Sequence, residues 1–265
     1  MKILITGAHG FVGNRLMQDL DDTVAAPSMR GMSEEQIRNM IEKSRADVII
    51  HTAAISDVGT CEKDPRASYE ANVRLPLFLA KAAKEQKLIC FSSDQVYRGC
   101  AGEGPYKEED ASPCNVYGRH KLEMEQKVLD VKPDAVMLRA EWMYDYPTKR
   151  SNYLRMLLNE KQVLAFGKQY RGITYLREVA ENMPKIFMLP GGVYNFGSET
   201  KQTMYDITCE MLHFLKSDRK PEEVPPAHNL WMDCTKAKER GILFSDAKEG
   251  LKRCLKDYHL AKDRE

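Results

Sequence analysis

Ile3-Leu4-Ile5-Thr6-Gly7-Ala8-His9-Gly10-Phe11-Val12-Gly13 joins a short apolar strand to a turn with G-x-x-G-x-x-G spacing, and the amphipathic run Asn14 to Leu20 follows directly. Between a strand and a helix, such glycines permit a tight turn, let the backbone approach a pyrophosphate, and allow close helix–sheet packing. The helix start adds unpaired N–H groups and the positive end of a dipole. A tight turn that binds nothing uses the same residues. The position of this one, at the head of a βα-alternating chain, favours a dinucleotide.

Working outward, β-rich runs recur at Val24 to Ala26, Val48 to Thr52, Leu88 to Ser92, Ala135 to Arg139 and Val193 to Phe196, with helical stretches between them. Such alternation predicts a parallel sheet wrapped by helices. Asp47-Val48-Ile49-Ile50-His51 is almost continuously apolar, as a strand covered on both faces requires, so the α/β fold reads as doubly wound. Ser33-Glu34-Glu35-Gln36 has capping-box spacing for a helix with Ile37, Met40 and Ile41 on one side. Another helix carries Tyr117 and Lys121 and runs to about Asp130, stopping before Pro133. After Tyr144 the alternation loosens into helical segments near Asn152 to Asn159, Glu178 to Phe187, Met204 to Leu215 and Asp246 to Tyr258. The expected division is a dinucleotide-binding domain over 1–145 and a smaller, mainly substrate-binding C-terminal lobe over 146–265, with a segment near 171–197 returning to the sheet.

The 265 residues are 43% apolar, enough for a well-buried core. Lys plus Arg number 40 against 39 acids, so neither nucleic acid nor a membrane surface is the expected partner, and a small molecule is. No apolar run reaches membrane-spanning length and no removable apolar leader follows Met1, which gives a cytoplasmic expectation. The seven cysteines are scattered and lack Cys-x-x-Cys spacing, reading as reduced structural thiols. No metal is expected. His9, His51 and His120 lack ligand spacing, and Glu108-Glu109-Asp110 reads as a solvated acidic loop.

Tyr117-Gly118-Arg119-His120-Lys121 puts a phenol and an ammonium one turn apart on one helix face. A nearby ammonium favours the phenolate and draws a tyrosine down from its ordinary pKa of about 10, toward the range where general acid–base transfer works best. Taken alone, the pair also describes an exposed tyrosine over a lysine stem. Upstream, Phe91-Ser92-Ser93-Asp94-Gln95 stands at the carboxyl end of the fourth strand, where open α/β sheets bind ligands. Asp94 either orients Ser93 or caps the following turn. The second strand ends Ala25-Ala26-Pro27-Ser28, without the acid that binds adenosine ribose hydroxyls, and Arg30 follows. This favours NADPH over NADH, unless Arg30 is simply a solvated loop residue. Ala53 and Ala54 are small enough for a cofactor to lie against the backbone, though core packing also uses small residues.

A glycine loop, a strand-end Ser and Tyr-x-x-x-Lys, in that order, resemble the short-chain dehydrogenase/reductase superfamily in its extended, sugar-nucleotide-modifying branch, a Rossmann-type fold. Ile50-His51-Thr52-Ala53-Ala54 and Asn72-Val73 extend the resemblance. Within that branch, Ser92-Ser93-Asp94, Pro105-Tyr106-Lys107-Glu108-Glu109-Asp110, Pro113-Cys114-Asn115-Val116-Tyr117-Gly118 and Leu138-Arg139-Ala140-Glu141-Trp142-Met143-Tyr144 are similar to the dTDP-4-dehydrorhamnose reductase family, over roughly residues 1–180. The resemblance implies reduction of a 4-keto sugar nucleotide by NADPH or NADH, dTDP-4-dehydro-L-rhamnose giving dTDP-L-rhamnose. It implies that Ser93 polarises the carbonyl, that Tyr117 donates the proton, and that Lys121 tunes Tyr117 and holds the nicotinamide ribose. The expected cofactor set is Gly7, His9, Gly10, Phe11, Val12, Gly13, Arg30, Ala53, Ala54 and Asn72, with Tyr117 and Lys121; Ser93, Asp94 and Trp142 are expected at the substrate. Two departures stand out. Ser93 replaces the family's usual Thr, and Arg171-Gly172-Ile173-Thr174-Tyr175 lacks the proline of its Gly-x-Pro-Thr segment.

Related dehydratases place an Asp-Glu pair after the catalytic hydroxyl. Here the pair is Asp94-Gln95, and an amide cannot abstract a proton, so water elimination is disfavoured. Two readings stay open beside reduction: a nucleotide-sugar epimerase with retained NAD, and a non-catalytic NADP-binding regulatory subunit resembling the methionine adenosyltransferase β-subunit. The expected partner is a small-molecule sugar nucleotide, with a homodimer also open.

Overall fold

The computed structural model of the chain describes residues 1–147 and 151–260. Its first part runs β1 (Ile3–Thr6), α1 (Phe11–Asp19), β2 (Thr23–Ala25), α2 (Glu34–Ser44), β3 (Val48–His51), α3 (Val58–Lys63), α4 (Pro65–Tyr69), α5 (Leu75–Ala82), β4 (Lys87–Ser93), α6 (Val116–Val131) and β5 (Val136–Ala140). There follow β6 (Trp142–Tyr144), α7 (Tyr153–Leu158), β7 (Ala165–Phe166), β8 (Ile173–Tyr175), α8 (Leu176–Ile186), β9 (Gly192–Phe196), α9 (Met204–Phe214), β10 (Glu222–Glu223), α10 (Thr235–Lys238) and α11 (Ala247–Asp257). α2 starts with the capping box its sequence predicts: Gln36 N–H donates to Ser33 Oγ at 3.2 Å, and Ser33 N–H donates to Gln36 Oε1 at 2.8 Å.

Six strands make one parallel sheet in the order β2-β1-β3-β4-β5-β9. Strand order reverses around β1, so a crevice opens beyond the carboxyl ends of β1 and β3, and the glycine loop leaves β1 at that point. β1, β3 and β5 are buried at every residue because helices cover both faces. Leu16 of α1 and Val179 and Met183 of α8 pack on one face; Ile41 of α2, Leu79 of α5 and Met124 of α6 pack on the other.

Residues 171–197 divide between two sheets. Gly192–Phe196 extends the main sheet at β5, whereas Ile173–Tyr175 pairs in parallel with β6 as a separate two-stranded sheet. A third apolar cluster brings Leu154 and Leu157 of α7, Met211 of α9 and Leu251 of α11 around Tyr144 and Tyr175. Among the described residues no helix is long and apolar enough to cross a membrane. All seven cysteines are free.

One polar element of the core is an ion pair. Arg139 of β5 donates to Glu125 of α6 through Nη2 at 2.7 Å and Nε at 3.0 Å, with both side chains at most 3% exposed. Ser92 Oγ donates to the same carboxylate at 2.5 Å. Arg139 Nη1 also donates to Tyr97 Oη, which in turn donates to Asn195 Oδ1 of β9. A fully bonded buried pair tolerates joint replacement far better than loss of one member. Glu125→Ala, which strands Arg139, is therefore expected to lower unfolding free energy by about 3–5 kcal/mol in urea titrations, and Glu125→Met with Arg139→Leu by clearly less.

Candidate active site

Ser93 is the last residue of β4, and a short 3₁₀ turn, Asp94–Tyr97, starts immediately after it. Gln95 N–H donates to Ser93 Oγ at 3.2 Å, and Ser93 Oγ donates to Asp94 Oδ1 at 3.1 Å. Ser93 itself, not Asp94, caps the turn, and the Asp94 carboxylate is bonded to the Ser93 hydroxyl.

α6 approaches this turn because Gly118 lacks a side chain: a Cβ there would lie 2.4 Å from Gln95 O. Asn115 caps the helix, its Oδ1 accepting from Gly118 N–H at 2.7 Å. Tyr117 and Lys121 are thereby carried to the edge of β4, both buried. Lys121 Nζ donates to Phe91 O at 2.7 Å and lies 5.8 Å from the centre of the Tyr117 ring. Burial lowers the Lys121 pKa to about 8, still above neutrality, so at pH 7 the side chain is mainly the ammonium that tuning of a phenol requires.

These groups face a cavity of about 650 Å³ lined by Gly7, Gly10, Phe11, Val12, Ala53, Ala54, Ser93, Asp94, Tyr117, Lys121 and Trp142. An adjoining cavity of about 270 Å³ is lined by His9, Arg30 and the turn Ala26-Pro27-Ser28. Gly7 has φ +70°, and a Cβ there would stand 2.7 Å from Ala53 N, so only glycine brings the loop this close to β3.

Two residues of the expected cofactor set stand apart from the cavity lining. Gly13 and Asn72 do not line either cavity. A Cβ on Gly13 would fall 2.2 Å from Gly7 O, so this glycine seats α1 against the loop. Asn72 is buried in a π turn, Glu70–Arg74, where its Oδ1 accepts from Ile55 N–H at 3.1 Å and its Nδ2 donates to Ile55 O at 2.9 Å. It fixes the loop after β3 from behind. His51, His120, Glu108 and Asp110 have structural partners. His51 Nδ1 lies 2.7 Å from Thr6 Oγ1, and burial pushes its pKa down to about 3, leaving it neutral; His120 Nδ1 lies 2.8 Å from Ser68 Oγ. Glu108 Oε1 accepts from Asn195 N–H and Asp110 Oδ2 from Lys107 N–H, each at 2.8 Å. Among the described residues no group of three His, Cys, Asp or Glu side chains is placed to hold a metal ion.

Sequence reasoning missed two charged lining residues, Glu141 and Arg171. Arg171 Nη2 donates to Asp94 Oδ2 at 2.8 Å, and its guanidinium lies 5.3 Å from the Trp142 ring centre. Glu141 Oε1 accepts from Thr174 Oγ1 at 2.5 Å. Burial, reinforced by Asp94, pushes the Glu141 carboxyl up to about 8 against the opposing pull of Thr174, Ser198 and Arg171. Each is a charged residue inside a motif already singled out. Their meeting depends on the β6–β8 pairing, which no local pattern announces.

A glycine-loop cradle at the switch point of a doubly wound sheet, with a hydroxyl, a phenol and an ammonium converging beside it, defines a Rossmann-type short-chain oxidoreductase scaffold. Residues 1–260 match the RmlD substrate binding domain, and the chain belongs to that family. It is 28% identical to a dTDP-4-dehydrorhamnose reductase of Aggregatibacter actinomycetemcomitans over 243 residues, covering 84% of this chain and 82% of the relative. It is 27% identical to the methionine adenosyltransferase 2 subunit beta of Mus musculus, covering 91% and 83%. The fold superposes on the dTDP-4-dehydrorhamnose reductase of Bacillus anthracis str. Ames, solved in complex with NADP, with a TM-score of 0.86 at 22% identity, covering 97% of this chain and 99% of that one.

Because the folded Glu141 pKa of about 8 exceeds its ordinary 4.5, the native state retains a proton that the unfolded chain releases. The contribution of this group is complete below the ordinary value and declines as pH rises toward the folded value. Glu141→Gln should remove that decline, so that urea midpoints at about pH 5.5 and about pH 8.5 differ less in the variant than in the unmodified protein.

Proposed function

We propose that this chain uses NADPH to reduce the 4-keto group of a sugar nucleotide, with dTDP-4-dehydro-L-rhamnose as the substrate. The observation that carries the reading is the sharing of one cavity by Ser93, Tyr117, Lys121 and the glycine loop. Membership of the family and the likeness to named reductases support it.

The residues present suit a dinucleotide. The Gly7 turn leaves room where any side chain would collide, α1 begins at the cavity wall, and Ala53 and Ala54 keep the facing loop low. Arg30 lines the smaller cavity beside a strand end that has no acid, which suits a 2′-phosphate and favours NADPH over NADH. When bound, the nicotinamide supplies the hydride. Ser93 donates a hydrogen bond to the substrate carbonyl oxygen as negative charge grows on it, and Tyr117 gives up the proton. The Lys121 ammonium stabilises the phenolate left behind. Residues 1–145 serve mainly the cofactor and 146–265 mainly the sugar nucleotide, with Trp142 and Asp94 at the sugar, in a protein of the cytoplasm.

A second reading, NADP binding without turnover in a regulatory subunit, draws on the likeness to the mouse β-subunit. It gives no task to the proton-donor pairing of Tyr117 with Lys121, since NADP binding without turnover moves no proton.

The test is oxidation of NADPH and NADH in the presence of dTDP-4-dehydro-L-rhamnose. Tyr117→Phe should lower kcat by about 100-fold or more with NADPH affinity little changed, and near-normal turnover by the variant removes Tyr117 as the acid. Cofactor binding with no turnover of any keto sugar nucleotide by the unmodified protein favours the regulatory subunit. Arg30→Ser should reduce kcat/KM for NADPH by about tenfold while sparing NADH, since it removes a charge-assisted contact to phosphate.

A further inference from the structure

Ser93 has a single hydroxyl hydrogen, and in this structure it is directed at Asp94 Oδ1, 3.1 Å away. Polarising a carbonyl requires the same hydrogen to turn toward the substrate. The hold of Asp94 therefore competes with the role of Ser93, and something must weaken it. Arg171 is placed to do so. Its Nη2 donates to the other carboxylate oxygen, Oδ2, at 2.8 Å, a shorter and charge-assisted bond that draws negative charge away from the Ser93 side. The Asp94 side chain is 3% exposed, so solvent does little to screen the pairing. Arg171 precedes β8, outside the main sheet, whereas Ser93 ends β4 within it. Its guanidinium lies over the Trp142 ring, and its buried Nε has no hydrogen-bond partner among the described residues, so the bond to Asp94 is its polar anchor at the cavity.

We infer that Arg171 is a positioning residue for the reduction: by pairing with Asp94 it releases the Ser93 hydroxyl to donate to the substrate carbonyl. This depends on the reductase reading above. Arg171 then acts through Asp94 and Ser93 on turnover, not through substrate affinity.

The experiment is a mutant cycle read by steady-state kinetics with NADPH and the keto sugar nucleotide, normalised to the folded fraction from urea unfolding. Arg171→Gln is expected to lower kcat by about tenfold or more with KM for the sugar nucleotide within about threefold. Arg171→Lys, which keeps a positive charge at Asp94, should recover most of that loss. In a Ser93→Ala background, Arg171→Gln should change kcat by less than about twofold, because the hydroxyl it serves is gone. A raised KM with unchanged kcat overturns the inference by making Arg171 a substrate contact. Full, independent losses in the Ser93→Ala background also overturn it. No turnover by the unmodified protein defeats the reductase reading and this inference with it, whereas turnover that Ser93→Ala leaves unchanged defeats the inference alone.

Discussion

The Glu125 carboxylate lies between α6 and the sheet, accepting from Arg139 of β5 and from Ser92 of β4, and the position of the site depends on it. One turn earlier on the same helix, Lys121 is bonded to Phe91 O of β4. Two successive turns of α6 are thus fastened to two consecutive residues of one strand, Phe91 and Ser92. Tyr117, a turn further toward the helix start, and Ser93, the next residue of the strand, have little freedom to drift apart. Interactions of this kind confer geometric definition more than net stability, because desolvating the ions consumes most of their attraction. Arg139 carries the constraint onward through Tyr97 to Asn195 of β9, tying the far edge of the sheet into the same network.

Burial then sets the charge states. Lys121 stays mainly cationic at neutral pH, with its pKa lowered to about 8, whereas His51, pushed down to about 3, stays neutral near it. The two effects agree, since the Lys121 charge itself disfavours a second cation at His51. In the same cavity Glu141 is held up to about 8 while Asp94 is paired with Arg171. The cavity thus presents a cation beside Tyr117 and an ion pair with a largely protonated carboxyl beside Ser93. Such groups suit a reaction in which negative charge develops on a substrate oxygen.

The motifs legible in the sequence were those whose chemistry is local. The strand–glycine–helix unit at Ile3 to Leu20, the capping box at Ser33, the Tyr117–Lys121 spacing and the apolar run at Val48 each depend on neighbours within a few residues, and each appears in the fold. Gly118 carried no such signal. Its purpose is a contact with Gln95 O, twenty-three positions away in the chain. Gly13 packs against Gly7 O and Asn72 is bonded to Ile55, both behind the cavity lining, and a motif does not distinguish a residue that lines a site from one that shapes the wall behind it.

The sequence by itself determined a doubly wound α/β chain with a glycine loop after the first strand, and it named the hydroxyl, phenol and ammonium that meet beyond the sheet. The Tyr117–Lys121 pair is legible from the 3.6-residue turn of a helix and the covered strand from its continuous apolar run, while the joint roles of Ser93, Tyr117 and Lys121 came from the family resemblance. Only the tertiary structure decided which charged residues join them. Arg171 reaches Asp94 across seventy-seven positions, and Glu141 meets Thr174 because β6 pairs with β8. The strength of a buried charge depends on what surrounds it in space, and that surrounding comes into being only when the chain has folded.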